Sequence, residues 1–206
     1  MAIDMDYQWL LFCPQLPANP SSPRVMVWRR MHSIGSLGLD NGLWVLPDSP
    51  QAEKFMKEMQ VYVESQGGSS KIFIANALDD ITQKSILEGF HKERSEEYGE
   101  LQEQCNDFLI ELEKETKRRN FSYAEYEENE QDLNKLENWF SQIQKREFNM
   151  AEMSAESAPK LGKCRQALQN FAIAVFDQAG KNEAGQLKYT ADTLNMKILK
   201  NNKENS

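Results

Sequence analysis

Histidine and cysteine are scarce in this chain of 206 residues, which has two of the first and three of the second. His32 and His91 stand far apart, and neither shares a spacing with Ser, Cys or a second His that nucleophilic catalysis or zinc binding uses. Both read as surface or capping residues. Cys13, Cys105 and Cys164 are odd in number and widely separated, which speaks against a disulfide framework and for reduced thiols in the cytoplasm. Each falls in an apolar strand or helical stripe, so all three read as buried structural thiols. Carboxylates are plentiful, but no calcium-loop glycine pattern accompanies them. No metal site and no cofactor are expected. No stretch approaches the roughly 20 apolar residues of a membrane span. The start Met1-Ala2-Ile3-Asp4 carries no basic region ahead of an apolar one, so no secretory signal is expected.

What is present is acid, and it is unevenly spread. The net charge is −8. Residues 1–78 carry six basic against seven acidic residues, 79–180 carry 13 against 22, and 181–206 carry five against three. The middle stretch would repel a phosphate backbone, so a nucleic-acid role would need a local basic patch in the first part. Apolar residues still make up 40% of the chain, enough for a core.

Hydrophobic spacing changes character near residue 79. Before it, Trp9-Leu10-Leu11-Phe12-Cys13 is a short apolar run stopped by Pro14 and Pro17, the pattern of a buried strand. Ser22 can cap a helix with Pro23 at its first position; Val27, Met31 and Ile34 form its apolar face and Gly35 ends it. Asp40-Asn41-Gly42 lies between Ser36–Leu39 and Leu43–Leu46, a hairpin signal, because Asn and Gly tolerate positive φ. Ser49-Pro50 opens a second helix with Phe55, Met59 and Tyr62 on its face, Gly67-Gly68 ends it, and Lys71–Ala75 is a last strand. The order strand, helix, two strands, helix, strand predicts a ferredoxin-like βαββαβ domain over 1–78, within an α+β protein.

After residue 79, apolar residues recur alternately every three and four positions, the spacing by which helices pack along one another. Tyr98, Leu101, Cys105, Phe108 and Leu112 form one stripe. Leu133, Leu136, Phe140 and Ile143 form a second, and Leu161, Cys164, Leu168, Phe171 and Val175 a third. Ser122 with Glu125 is a capping box for the middle helix, and Ser157-Ala158-Pro159 marks the start of the last, which Gly180 would end. A three-helix bundle over 79–180, its first two long helices antiparallel, is predicted. The polar stretch 181–206 reads as a disordered tail.

Several strings then take on the look of a family. They are Trp9-Leu10-Leu11, Pro23-Arg24-Val25-Met26-Val27-Trp28-Arg29-Arg30-Met31, Ile34-Gly35-Ser36, Asp40–Pro47 and Gly67-Gly68. Beyond the junction come Glu96-Glu97-Tyr98, Phe108–Glu111, Lys114-Glu115-Thr116, Arg146 and Phe148. In order and spacing, from about residue 7 to about residue 178, the chain resembles the N-terminal region of the chromate-resistance protein ChrB. That resemblance implies a bacterial protein of chromate-resistance operons, in a family described as chromate-responsive transcriptional regulators. It also implies kinship with the ferredoxin-like domains of the phenylacetate repressor PaaX and of the small CRISPR adaptation nuclease, relatives that pair through their sheets into dimers. Full-length members continue into a second domain, and nothing that domain supplies is carried over here.

The strongest surface candidate is Arg24, Trp28, Arg29 and Arg30 on the first helix. Three arginines within about two turns can grip phosphates or a small oxyanion, and the indole can stack on a base. The plainer alternative has the arginines paired with acidic helices and Trp28 in the core. A metal-dependent nuclease, suggested only by the fold relative, would want a carboxylate in the first strand, which has none; Asp4 and Asp6 precede it. The acidic string Glu125, Glu127, Glu128, Glu130 and Asp132 sits at a helix start, where negative charge is favoured.

The sequence therefore predicts a non-enzymatic, cytoplasmic, ChrB-like regulator, homodimeric and associated with duplex DNA through Arg24, Arg29 and Arg30. The alternative is an interaction module whose sheet dimerises and whose acidic helices hold a protein partner. Chromate reduction by the chain's own cysteines ranks last.

Overall fold

The computed structural model describes residues 7–147 and 151–204, the side chains of Asn41, 151–153 and 181–204 excepted. Its elements are β1 (Trp9–Gln15), α1 (Ser22–Ser33), β2 (Leu37–Leu39), a 3₁₀ turn (Asp40–Gly42), β3 (Leu43–Pro47), α2 (Pro50–Ser65) and β4 (Ser69–Ala75). Three long helices follow: α3 (Asp80–Arg118), α4 (Tyr123–Lys145) and α5 (Ala151–Glu204). The protein is mixed α+β and mostly helical. None of the described helices is long and apolar enough to cross a membrane. By compactness the chain divides into two units. The first comprises 1–99 with 141–154, and the second 100–140 with 155–206.

In the first unit the strands lie in the order β2-β3-β1-β4, every neighbouring pair antiparallel. β1 is central, with Leu11 opposite Val45 on one side and Phe73 on the other. Its unbroken apolar run is explained by burial on both faces. Leu10 and Phe12 join Val27, Met31, Met56, Met59 and Val63 under α1 and α2. Trp9 and Leu11 point the other way, to Val45, Leu37, Ile86, Leu87 and Phe90. The first turns of α3 therefore cover the sheet's second face over β2, β3 and β1, while Phe73 of β4 on that face stays 50% exposed. Trp9 Nε1 donates to buried Gln83 Oε1 at 2.8 Å, and the Trp9 and Phe90 rings stack with centroids 5.8 Å apart. Gly89 permits the approach: a Cβ there would stand 2.8 Å from the Leu37 side chain.

Local signals place most boundaries. Ser49 caps α2 by accepting from Ala52 N at 3.1 Å, and Gly67, at φ 74°, lies just beyond its end. Gly35 takes φ 81° after α1, whose last turn closes with Ser36 N donating to Met31 O at 3.1 Å. Other expectations need correction. Ser21, not Ser22, is the residue before α1, and its side chain makes no capping bond. The hairpin turns through three 3₁₀ residues rather than a two-residue Asn-Gly turn. The buried face of α2 is Ala52, Met56, Met59 and Val63, with Phe55 and Tyr62 only partly covered at its margin.

In the second unit the stripes predicted from spacing are buried except at Phe140 of α4, which is only partly buried. Their buried positions in this unit are Leu101, Cys105, Phe108 and Leu112 on α3, Leu133 and Leu136 on α4, and Leu161, Cys164, Leu168, Phe171 and Val175 on α5. Phe121, between α3 and α4, meets Phe171 of α5 with centroids 5.6 Å apart. Ser122 Oγ accepts from Glu125 N at 3.2 Å, the first half of the expected capping box. α5 begins at Ala151, so Pro159 lies inside it rather than at its start. Its backbone continues through Gly180 and across 181–204, the stretch expected to be a disordered tail; Asn205 and Ser206 lie outside the described residues.

Candidate functional site

α1 is twelve residues long, and Pro23, Val27 and Met31 are its buried side. Everything between those positions is pushed outward by the 3.6-residue repeat. Arg24, Trp28, Arg29 and Arg30 are all exposed, as are Val25 and Met26. Trp28 is 55% exposed, so it does not pack in the core as the plainer reading required. Nor do the arginines pair with acids: among the described residues, no carboxylate lies within ion-pair distance of Arg24, Arg29 or Arg30.

Each of these side chains is positioned differently. Arg24 Nη2 donates to Ala18 O at 2.7 Å, which holds its guanidinium against the loop before the helix. Arg30 lies over the Tyr62 ring of α2 at 5.4 Å, a cation–π contact. Trp28 sits 4.3 Å from the His32 ring, which in turn meets Trp44 edge-on at 5.3 Å. A ladder of rings thus runs from the surface indole to the core. Arg24 and Trp28 are one turn apart and share a face. The arrangement suits a flat or anionic group that can stack on one side and accept hydrogen bonds on the other.

A second cluster, which sequence reasoning did not find, lies where α3, the end of α4 and the end of α1 meet in the same unit. Arg94 is 3% exposed and holds Glu93 at 3.1 Å and Glu97 at 3.3 Å. Glu97 also takes Arg146 at 3.1 Å, while Tyr98 donates to Glu147 Oε2 at 3.2 Å. Arg94 Nη1 and Glu147 Oε1 are buried without a hydrogen-bond partner. Burial pushes Glu93 and Glu147 above the ordinary carboxylate range; Arg94 and His32 pull Glu93 part of the way back. Burial likewise raises the Tyr98 phenol. Among the described residues, no group of three or more His, Cys, Asp or Glu is arranged to hold a metal ion.

Over residues 24–182 the sequence matches the family described as "Protein ChrB, N-terminal". The chain belongs to that family. It is similar to Protein ChrB of Cupriavidus metallidurans, at 28% identity over 92 residues, a match that takes in 45% of this chain and 28% of the relative. The matched part thus spans less than a third of that relative's length.

In this ChrB N-terminal chain, three of the strings that carried the resemblance converge on the second cluster. Glu97-Tyr98 supplies its α3 side and Arg146 its α4 side. Gly35 ends α1 against it, and no methyl group fits there, because a Cβ on Gly35 would fall 2.8 Å from Arg146 Cβ. Strings distant in sequence meet here, and the resulting clasp fixes the end of the helix that carries Trp28 and the arginines. Spacing could not reveal this, since ion pairs between distant residues leave no periodic trace. Cys13 is half-exposed rather than buried, whereas Cys105 and Cys164 are buried as expected.

Proposed function

We propose that this chain is a ChrB-type regulatory protein of chromate or related oxyanion resistance, acting in the cytoplasm by binding duplex DNA rather than by catalysis. The observation that carries this reading is the outward face of α1. It presents an exposed indole and three arginines that, among the described residues, have no carboxylate partner, in a protein otherwise rich in acid. In this reading the first four strands with α1 and α2 form a ferredoxin-like domain, which the strand order and antiparallel pairing support. The second unit is a three-helix bundle, supported by its three buried stripes. The active form is a homodimer.

Binding to duplex from upstream of the chain's own gene, followed by fluorescence anisotropy at two salt concentrations, tests the reading. Three phosphate contacts predict roughly a 40-fold loss of affinity between about 50 and 200 mM salt. Replacing Arg24, Arg29 and Arg30 together by Ala should abolish most of the affinity and flatten the salt dependence. Duplex affinity that ignores both salt and the triple substitution would sink the proposal. Chromate added to the same titration asks whether the anion is the effector.

A groove in the second unit favours the alternative of a protein-binding module. It has a volume of about 460 Å³ and is lined by Asp107, Glu111, Asp132 and Lys135, with Phe108, Leu136 and Trp139 at its apolar side; Lys135 pairs with Asp132 and Lys114 with Glu111, which leaves Asp107 without an ion pair among the described residues. Its chemistry fits a basic segment with an apolar anchor.

A further inference from the structure

Cys105 on α3 and Cys164 on α5 are 59 positions apart in sequence, and both are buried, at 1% and 0% exposure. Cys164 Sγ lies 3.5 Å from the Cys105 carbonyl oxygen, to which it donates. The two thiols influence one another's ionisation, and the Lys160 ammonium, one helical turn before Cys164, acts on both. Packing alone does not call for this arrangement, because the same stripes use Leu, Phe and Val at their other buried positions.

We propose that Cys105 and Cys164 are an oxidisable pair, which a small peroxide converts to an intramolecular disulfide that pins α3 to α5. The inference is independent of any role of α1 in DNA binding. The chemistry divides between the two sulfurs. Cys105 is held below the ordinary thiol range by the hydrogen bond from Cys164 and by Lys160, against the opposing effect of burial. Cys164 is held well above that range by the same hydrogen bond and by burial. The S–H of Cys164 is donated to the Cys105 carbonyl, which leaves Cys105 as the thiol assigned to attack. It cleaves the O–O bond of hydrogen peroxide, takes one oxygen as a sulfenic acid and releases the other as water. Cys164 then attacks the sulfenic sulfur, the S–S bond forms, and a second water leaves. Two thiols and one peroxide give one disulfide and two waters; the sulfurs lose the two electrons that the peroxide gains. Burial excludes bulky oxidants and thiols, which favours a small reagent and a link that forms within one chain. The link closes a loop that contains all of α4, so it restricts the unfolded chain and raises stability.

The full chain, reduced and freed of reductant, is treated with hydrogen peroxide while folded, then denatured and alkylated with N-ethylmaleimide. Alkylated cysteines should fall from three to one, with Cys13 the one labelled and a Cys105–Cys164 cross-linked peptide recovered after digestion. The thermal midpoint should rise, and reduction under denaturing conditions followed by refolding should reverse both changes. Three labelled cysteines after treatment, or a disulfide formed through Cys13, would overturn the proposal. In Cys164→Ser, treated with peroxide while folded and then denatured in dimedone, a sulfenic acid should be trapped at Cys105, and the absence of that adduct would also count against it. The wild-type peptide map decides the matter even if that variant does not fold.

Discussion

The first unit buries its aromatic residues on two sides of a single strand, whereas the second buries one stripe on each of three helices. In the first, Trp9 and Phe12 of β1 face opposite layers, and each layer is assembled from residues distant in sequence. In the second, Leu161, Cys164, Leu168, Phe171 and Val175 follow one another along one helix. Polar groups differ too. The first unit encloses Arg94 with Glu93 and Glu97, while most ion pairs of the second, such as Lys117 with Glu113 at 2.6 Å, lie at the surface between neighbours on one helix; Arg165 with Glu137 joins two helices, and Glu115 beside Arg118 is buried. Surface pairs of that kind contribute little. The enclosed cluster is different, because a buried ion left alone is costly. One unit is therefore held by a few decisive contacts, and the other by many similar ones.

The largest expected effect sets the two units against each other. Arg94→Met leaves Glu93 and Glu97 without their buried partner and should cost about 3–5 kcal/mol. Leu161→Ala opens a cavity in the second unit and should cost about 2–4 kcal/mol. In a Trp139→Phe background, the remaining tryptophans, Trp9, Trp28 and Trp44, all report on the first unit. Arg94→Met should lower the fluorescence midpoint, and Leu161→Ala should lower the far-ultraviolet circular dichroism midpoint with less effect on fluorescence. Identical midpoints by both probes in both variants would show a single cooperative unit and break the contrast.

Gly35→Ala should cost about 1–3 kcal/mol, since φ 81° disfavours a side chain and the added Cβ would meet Arg146 at 2.8 Å. If α1 is positioned through this contact, any affinity for duplex should weaken along with stability. An unaltered denaturant midpoint in the variant would show that the clasp does not hold α1 in place.

The smallest effect concerns pH. Glu147 is raised by burial, so its neutral form favours the folded state; that contribution is complete below the ordinary carboxylate pKa and is lost as pH rises through the raised value. Glu147→Gln keeps an oxygen for Tyr98 but cannot ionise. The two proteins should melt together near about pH 4, and the variant should become the more stable toward about pH 7. A wild type that gains on the variant as pH rises would reverse the assigned direction.

Much of this was legible beforehand where a signal is local. Ser49-Pro50, Gly35 and Ser122 mark helix ends because capping needs only neighbouring residues. The three-four spacing named the buried stripes of α3, α4 and α5, because a helix repeats its face every few residues. The unbroken run Trp9-Leu10-Leu11-Phe12 indicated a buried strand, yet not what would lie on each side of it. The exposed cluster Arg24, Trp28, Arg29 and Arg30 was found as a basic run, while the exposure of Trp28 depended on where α1 set its buried face.

By itself, then, the sequence determined the kind and order of the elements, the acidic character of the helices and the family to which the chain belongs. Tertiary structure alone decided that α3 covers the second face of the sheet over β2, β3 and β1, that Glu97, Arg146 and Gly35 meet, and that Cys105 faces Cys164. The reason is one of range. Backbone preference and hydrophobic period are written in residues a few positions apart, whereas ion pairs, thiol pairs and covered faces join residues that only the folded chain makes neighbours.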